Sequence, residues 1–94
     1  GNISELFRLI KKIADKNSIE INSINPTATI SDPYYFKISY NITVRGRYHD
    51  IGRFLGDIAG AERILNIENL SIGGSEIPTA NFTLISYQYK EGTQ

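Results

Sequence analysis

His49 is the only histidine in the 94 residues, and there is no cysteine at all. Those two facts remove most metal and nucleophile chemistry: one imidazole cannot make a histidine pair, and thiolate ligands, disulfides and cysteine nucleophiles are absent together. His49 stands beside Asp50, but no serine or further carboxylate falls at a spacing that would make it a general base. It is therefore expected at the start of a helix, with no catalytic, metal-binding or cofactor-binding residue in the chain. Arg45, Arg47 and Arg53 with Tyr48 form a small basic and aromatic cluster of the kind that meets phosphate or single-stranded RNA. Ten lysines and arginines balance ten aspartates and glutamates, however, so no global field draws the chain to nucleic acid or an anionic membrane. Only Arg45-Gly46 followed by Tyr48 agrees with the RNA-recognition signature, and its later aromatic series is missing. Four Asn-x-Ser/Thr tripeptides, at Asn2, Asn41, Asn69 and Asn81, arise easily in an asparagine-rich chain and assign no compartment.

What remains is surface. Gly52, Gly56 and Gly60 recur every fourth residue and fall together on one flank of a helix. Glycine inside a helix costs about 1 kcal/mol relative to alanine, so close approach of another helix is expected there, either the first helix of the chain or a partner's; the competing expectation is that Gly60 simply ends the helix and the other two are tolerated. The last apolar segment carries Phe82 and Leu84 in one phase and Ile85, Tyr87 and Tyr89 in the other. With Ala80, Phe82 and Leu84 turned to the core, the second set makes a tyrosine-rich stripe on the open face or edge of a sheet, suited to a protein interface. The competing expectation is cross-strand packing against Tyr35 and Ile72 with no partner.

These features require elements to hold them. Ile3, Leu6, Phe7, Ile10, Ile13 and Ala14 share one face of a first helix, with Asn2 and Glu5 as a capping box and Lys11, Lys12 and Lys16 towards its end. Ile3, Leu6, Ile10 and Ile13 also fit heptad a and d positions, so residues 1–17 read either as a helix covering a sheet or as the end of an upstream coiled coil. Ile19, Ile21 and Ile24 make a short strand closed by Asn25-Pro26, and Thr27 to Pro33 reads as a loop. Phe36, Ile38, Tyr40, Ile42 and Val44 alternate with polar residues, the pattern of a strand buried on one side. Asp50 is expected to cap a second helix buried through Ile51, Phe54, Leu55, Ile58 and Ala59. A strand from Ile64 to Ile72, a turn at Gly73-Gly74-Ser75 and Pro78, and a final strand from about Ala80 to Lys90 follow, with residues 91–94 a polar tail. The order α-β-β-α-β-β predicts one α+β domain over residues 1–94: a four-stranded antiparallel sheet with two helices on one face, a circularly permuted ferredoxin-like arrangement. No apolar run approaches the roughly 20 residues that span a bilayer.

Gly46-x-Tyr48-His49, then Phe54-Leu55 in the helix, then Arg63-Ile64 before Asn69-Leu70-Ser71-Ile72, together resemble the PilO family of type IV pilus assembly proteins. The resemblance is strongest from Phe36 to Ile72 and extends more loosely to the first helix, the Pro26 loop and Ser86-Tyr87-Gln88-Tyr89. It implies the periplasmic domain of a single-pass inner-membrane protein, with a transmembrane helix and coiled coil upstream of Gly1-Asn2. It also implies homodimerisation, pairing with the similarly folded PilN, and a link through the lipoprotein PilP towards the outer-membrane secretin.

The expected function is a non-enzymatic scaffold that aligns the pilus machine, with no cofactor and no nucleic-acid partner. Its interface is expected at Ile85, Tyr87 and Tyr89, at Gly52 and Gly56, and at Ile3, Leu6 and Ile10. The alternatives are a ferredoxin-like small-molecule-sensing domain, for which Gly73-Gly74 is the only faint sign, and the related component of a type II secretion system.

Overall fold

A computed structural model describes residues 3–61 and 65–90. Helix α1 (Ile3–Lys16) leads into strands β1 (Glu20–Ser31) and β2 (Tyr35–Arg45), then helix α2 (Tyr48–Ala59) and strands β3 (Leu65–Gly73) and β4 (Thr79–Tyr89). The strands form one sheet in the order β1-β2-β4-β3, and every neighbouring pair is antiparallel. This is the expected α+β layout. Arg63 and Ile64, two of the residues that carry the family resemblance, lie outside the described residues, as do Asn2 and the tail from residue 91.

The strict alternation in β2 decides where the core lies. Ile38, Tyr40, Ile42 and Val44 point to the helices, together with Ala80, Phe82 and Leu84 of β4, while Leu6, Ile10, Ile13 and Ala14 of α1 and Ile51, Phe54 and Ile58 of α2 close over them. Phe7 meets the Tyr40 ring edge-on at 6.2 Å, and Phe54 meets Phe82 at 6.2 Å in the same geometry. The Tyr40 hydroxyl is buried with no hydrogen-bond partner among the described residues, and burial raises its pKa. An orphaned buried hydroxyl costs free energy, so Tyr40→Phe is expected to stabilise the chain by about 1 kcal/mol, read as a higher urea midpoint.

α1 ends on a residue that the sequence reading left unremarked. Ser18 takes a left-handed conformation at φ 59°. Its N–H donates to the Asp15 carbonyl at 3.4 Å and the Ile19 N–H reaches back to Ala14 at 2.9 Å, the paired bonds that satisfy a helix's last carbonyls. This reversal drops Ile19 into the core and starts β1.

Two boundaries differ from expectation. β1 does not stop at Pro26 but continues to Ser31, and only Asp32, Pro33 and Tyr34 separate it from β2. Pro26 is tolerated because β1 is an edge strand and a register shift between Pro26 and Ala28 absorbs the missing donor. Asp32 closes the turn by accepting the Tyr34 N–H at 2.7 Å and the Tyr35 N–H at 3.2 Å. The second helix starts two residues before Asp50: Arg47 is its N-cap, without a side-chain cap, and Asp50 lies in the first turn, where its charge suits the helix dipole.

The length of β1 and β2 gives the molecule its shape. Eleven residues of strand extend about 36 Å, against about 21 Å for the fourteen residues of α1, so the β1-β2 hairpin and the end of β4 project beyond the helices. The principal extents are 50 × 22 × 18 Å.

Candidate functional site

Two surfaces of the sheet are left uncovered by the helices: the projecting end and the face opposite the core.

At the projecting end, Ile30, Tyr34, Phe36 and Tyr89 are exposed, Tyr89 at 70%. Tyr35 packs edge-on against Tyr87 at 5.6 Å and Tyr89 at 6.3 Å, so the tyrosine stripe is joined by a third ring from β2. The Asp32 carboxylate, followed by burial, holds the Tyr35 hydroxyl above its usual pKa. Lys90 ties the end of β4 to the hairpin: its N–H donates to the Tyr34 carbonyl at 2.9 Å, its Nζ donates to Ser31 Oγ at 2.7 Å, and its ammonium lies 4.9 Å from the centre of the Phe36 ring. The hairpin is thus held by β4, and its apolar residues stay presented.

The expected interface residues divide on inspection. Tyr87 and Tyr89 lie on the face away from the helices, as read. Ile85 shares that face but is only 4% exposed, because it sits in a central strand between Ser39 and Asn66 and its neighbours enclose it; it is not an exposed contact. Ile72 pairs with Ala80 at the far end of β3 and does not pack with the tyrosines. Leu6 and Ile10 are buried in this chain's own core, so the heptad-like spacing is used to cover the sheet. The side chain of Ile3 lies outside the described residues.

The glycine flank is open. A Cβ built on Gly52 or Gly56 meets nothing within 4 Å among the described residues, so α1 does not approach there and that part of the expectation fails. Gly60 caps α2, its N–H donating to the Gly56 carbonyl at 3.0 Å. Gly56→Ala is therefore expected to stabilise the isolated chain by about 1 kcal/mol, a rise of roughly 4–8 °C in Tm, while weakening any association that uses this flank.

His49 is exposed in the first turn of α2, where Arg53 Nη1 lies 3.1 Å from its Nε2. No group of three metal-ligating side chains exists among the described residues, and no helix among them is long and apolar enough to cross a membrane.

On the face opposite the core, the sequence reading missed an ordered feature. Asn41-Ile42-Thr43 and Asn81-Phe82-Thr83 lie directly opposite each other in antiparallel register, each asparagine facing the other's threonine. Thr43 Oγ1 donates to Asn81 Oδ1 at 2.6 Å, and longer contacts of 3.5 Å run from Asn69 Nδ2 to Thr83 Oγ1 and from Thr83 Oγ1 to Asn41 Oδ1. β1 extends the rows with Asn25 opposite Asn41 and Ser23 opposite Thr43. The signal was present as an Asn-x-Thr tripeptide in each of two strands; only the register reveals that they pair.

Comparison with known proteins agrees with this architecture. The family model for the type IVa pilus alignment subcomplex PilO C-terminal domain matches residues 2–91. The crystal structure of the type 4 fimbrial biogenesis protein PilO from Pseudomonas aeruginosa is similar with a TM-score of 0.84 at 19% identity, over 94% of this chain and 69% of that one. The core region of PilO from the type IV pilus system of the same organism gives 0.69 at 19% identity, over 92% of this chain and 96% of that one. No curated protein sequence matches the chain.

Proposed function

The chain belongs to the type IVa pilus alignment subcomplex PilO C-terminal domain family, and from that membership we propose that it is a non-enzymatic scaffold domain of the pilus alignment complex. It works on the periplasmic side of the inner membrane, forming homodimers and pairing with a PilN-like protein, with a PilP-like lipoprotein as a further partner. The observation that carries this reading is the family match across residues 2–91. The exposed aromatic end of the sheet is consistent with it, because large apolar side chains grouped at a protruding edge favour protein contact.

Sedimentation of the chain alone and mixed with the periplasmic domain of a PilN-like protein tests the proposal. A reversible homodimer and a heterodimer are expected; neither forming at high concentration would overturn it. Tyr89→Ala is expected to weaken association about tenfold, about 1.4 kcal/mol. Because Tyr89 is largely exposed, Tm should hardly change. An unchanged association constant would remove the projecting end from the interface.

A further inference from the structure

The paired Asn-x-Thr rows use only part of their hydrogen-bonding capacity. Asn41 and Asn81 each accept from a threonine through Oδ1, which leaves both carboxamide nitrogens as free donors among the described residues, and the side chains of Ser23 and Asn25 make no hydrogen bond there. Ser23, Asn25, Asn41, Thr43, Asn69, Asn81 and Thr83 line a shallow depression of about 420 Å³ across the sheet.

The lining selects its ligand by charge and by donor pattern. Among the described residues no lysine, arginine, aspartate or glutamate lines the depression; Glu68, opposite Thr83, stands at its margin, and Glu20 and Arg45 pair with each other at 3.7 Å beyond its lower end. Within the depression an anion would find no cation among the described residues, Lys37 standing further along this face opposite Tyr87, and a metal ion no cluster of carboxylates. An extended peptide gains its main-chain bonds at a sheet edge, not on a face whose backbone is already paired. Carboxamides and hydroxyls that both donate and accept match groups that do the same, namely sugar hydroxyls and acetamido groups. Further along β4 on the same face, beyond Ile85, stand the Tyr87 ring and its neighbours Tyr35 and Tyr89. Aromatic rings offer apolar surface against which the C–H face of a sugar can pack.

We propose that the open face of the sheet, centred on Asn41, Thr43, Asn81 and Thr83 and continued by Tyr87, is a binding site for a neutral glycan strand bearing hydroxyl and acetamido groups. This goes beyond the scaffold reading and does not rest on it: the amide-lined face binds sugar, while the projecting end and the helix flank remain for protein.

The test is a nuclear magnetic resonance titration of the isotopically labelled chain with an N-acetylglucosamine tetramer, a glucose tetramer and a galacturonate tetramer. Saturable shifts are expected at Asn41, Thr43, Asn81 and Thr83 with either neutral sugar, which separates an acetamido-bearing source from a plain polyhydroxylated one by their relative affinities. The acidic sugar should bind weakest. The Asn41→Ala/Asn81→Ala double variant should lose about tenfold or more in affinity, and Thr43→Val, which keeps the side-chain shape, should also weaken binding while preserving the native spectrum. The proposal is overturned by an absence of saturable shifts with both neutral sugars, by equal or stronger binding of galacturonate, or by shifts unaffected in natively folded variants. It is equally overturned if the same resonances move on raising protein concentration without sugar, since a second copy would then occupy the face. Dimerisation measured by sedimentation is read separately, so failure here leaves the scaffold reading standing.

Discussion

Asn17→Asp is expected to destabilise the chain by about 2–4 kcal/mol at neutral pH, and to do so far less in mild acid. Asn17 is only 4% exposed at the junction of the two helices. Its Nδ2 donates to the Ile13 carbonyl at 3.0 Å and to Asp57 Oδ2 at 2.9 Å, while Lys16 Nζ lies 3.4 Å from the same carboxylate oxygen. The Asn17 hydrogen bond, against some opposition from burial and with help from Lys16, lowers the Asp57 pKa. A carboxylate whose folded pKa is depressed adds stability above its unfolded pKa and loses that contribution as pH falls through the folded value. The unmodified chain should therefore weaken only in strong acid. Aspartate at position 17 would remove the donor and set a second carboxylate, largely buried, beside Asp57. Burial and like charge both raise a carboxyl pKa, which reverses the sign: the penalty is full at neutral pH and relieved as pH falls through the raised value. Urea midpoints at pH 7 and pH 5 check this. The difference from the unmodified chain should shrink at the lower pH, and Asn17→Asp/Asp57→Asn, which restores a donor opposite an acceptor, should recover most of the loss at pH 7. An equal loss at both pH values would show that Asn17 acts through packing alone.

That network marks where the sequence stopped being informative. The helices and the two central strands were legible because their apolar residues repeat at 3.6 and at 2, and the burial of Ile38, Tyr40, Ile42 and Val44 follows the alternation directly. The edge strands were harder. β1 beyond Pro26 has little apolar periodicity because neither of its faces is well buried, and what extends it is pairing with β2 across a bulge. In β3 the register slips between Glu68 and Ser71, with Asn69 left-handed at φ 56°, a conformation asparagine adopts more readily than most residues but does not announce. Nothing in the spacing singles out Asn17, since its role depends on Asp57, forty residues away.

The surfaces were legible to a similar degree and for related reasons. Tyrosines at alternate positions of the last strand indicated an uncovered face, and Tyr87 and Tyr89 lie there. Ile85 shares the phase but not the exposure, because parity gives the face and only neighbouring strands decide what is enclosed. Leu6 and Ile10 fit a heptad as well as they fit a helix packed on a sheet, and spacing over four turns does not separate the two. The glycine repeat led to the expectation of a closely approaching helix, yet α1 does not pack on Gly52 or Gly56. The asparagine rows required register between strands forty residues apart, which no single-strand pattern contains.

Gly46→Ala is expected to cost about 1–3 kcal/mol, and Ile19→Val is expected to absorb part of that cost. Gly46 ends β2 where three connections meet: its N–H donates to the Pro78 carbonyl at 3.2 Å, and a Cβ built on it would stand 2.5 Å from Ile19 Cδ1 and 3.6 Å from the Ser18 carbonyl oxygen. Its backbone is not left-handed, so the requirement for glycine is one of space. Ile19 has little room to yield, since it is buried and fixed by the reversal that ends α1. Ile19→Val removes the Cδ1 methyl that the new side chain would strike; alone it should cost about 0.5–1.5 kcal/mol. If the clash is the cause, the double variant should be more stable than the sum of the two single losses predicts, by about 1 kcal/mol. Strict additivity in urea unfolding would place the effect elsewhere, in the Pro78 contact or the start of α2. The coupling measured there is also a test of the fold's logic. The turn after α1, the end of β2 and the loop before β4 meet at Gly46, where there is no room for a side chain.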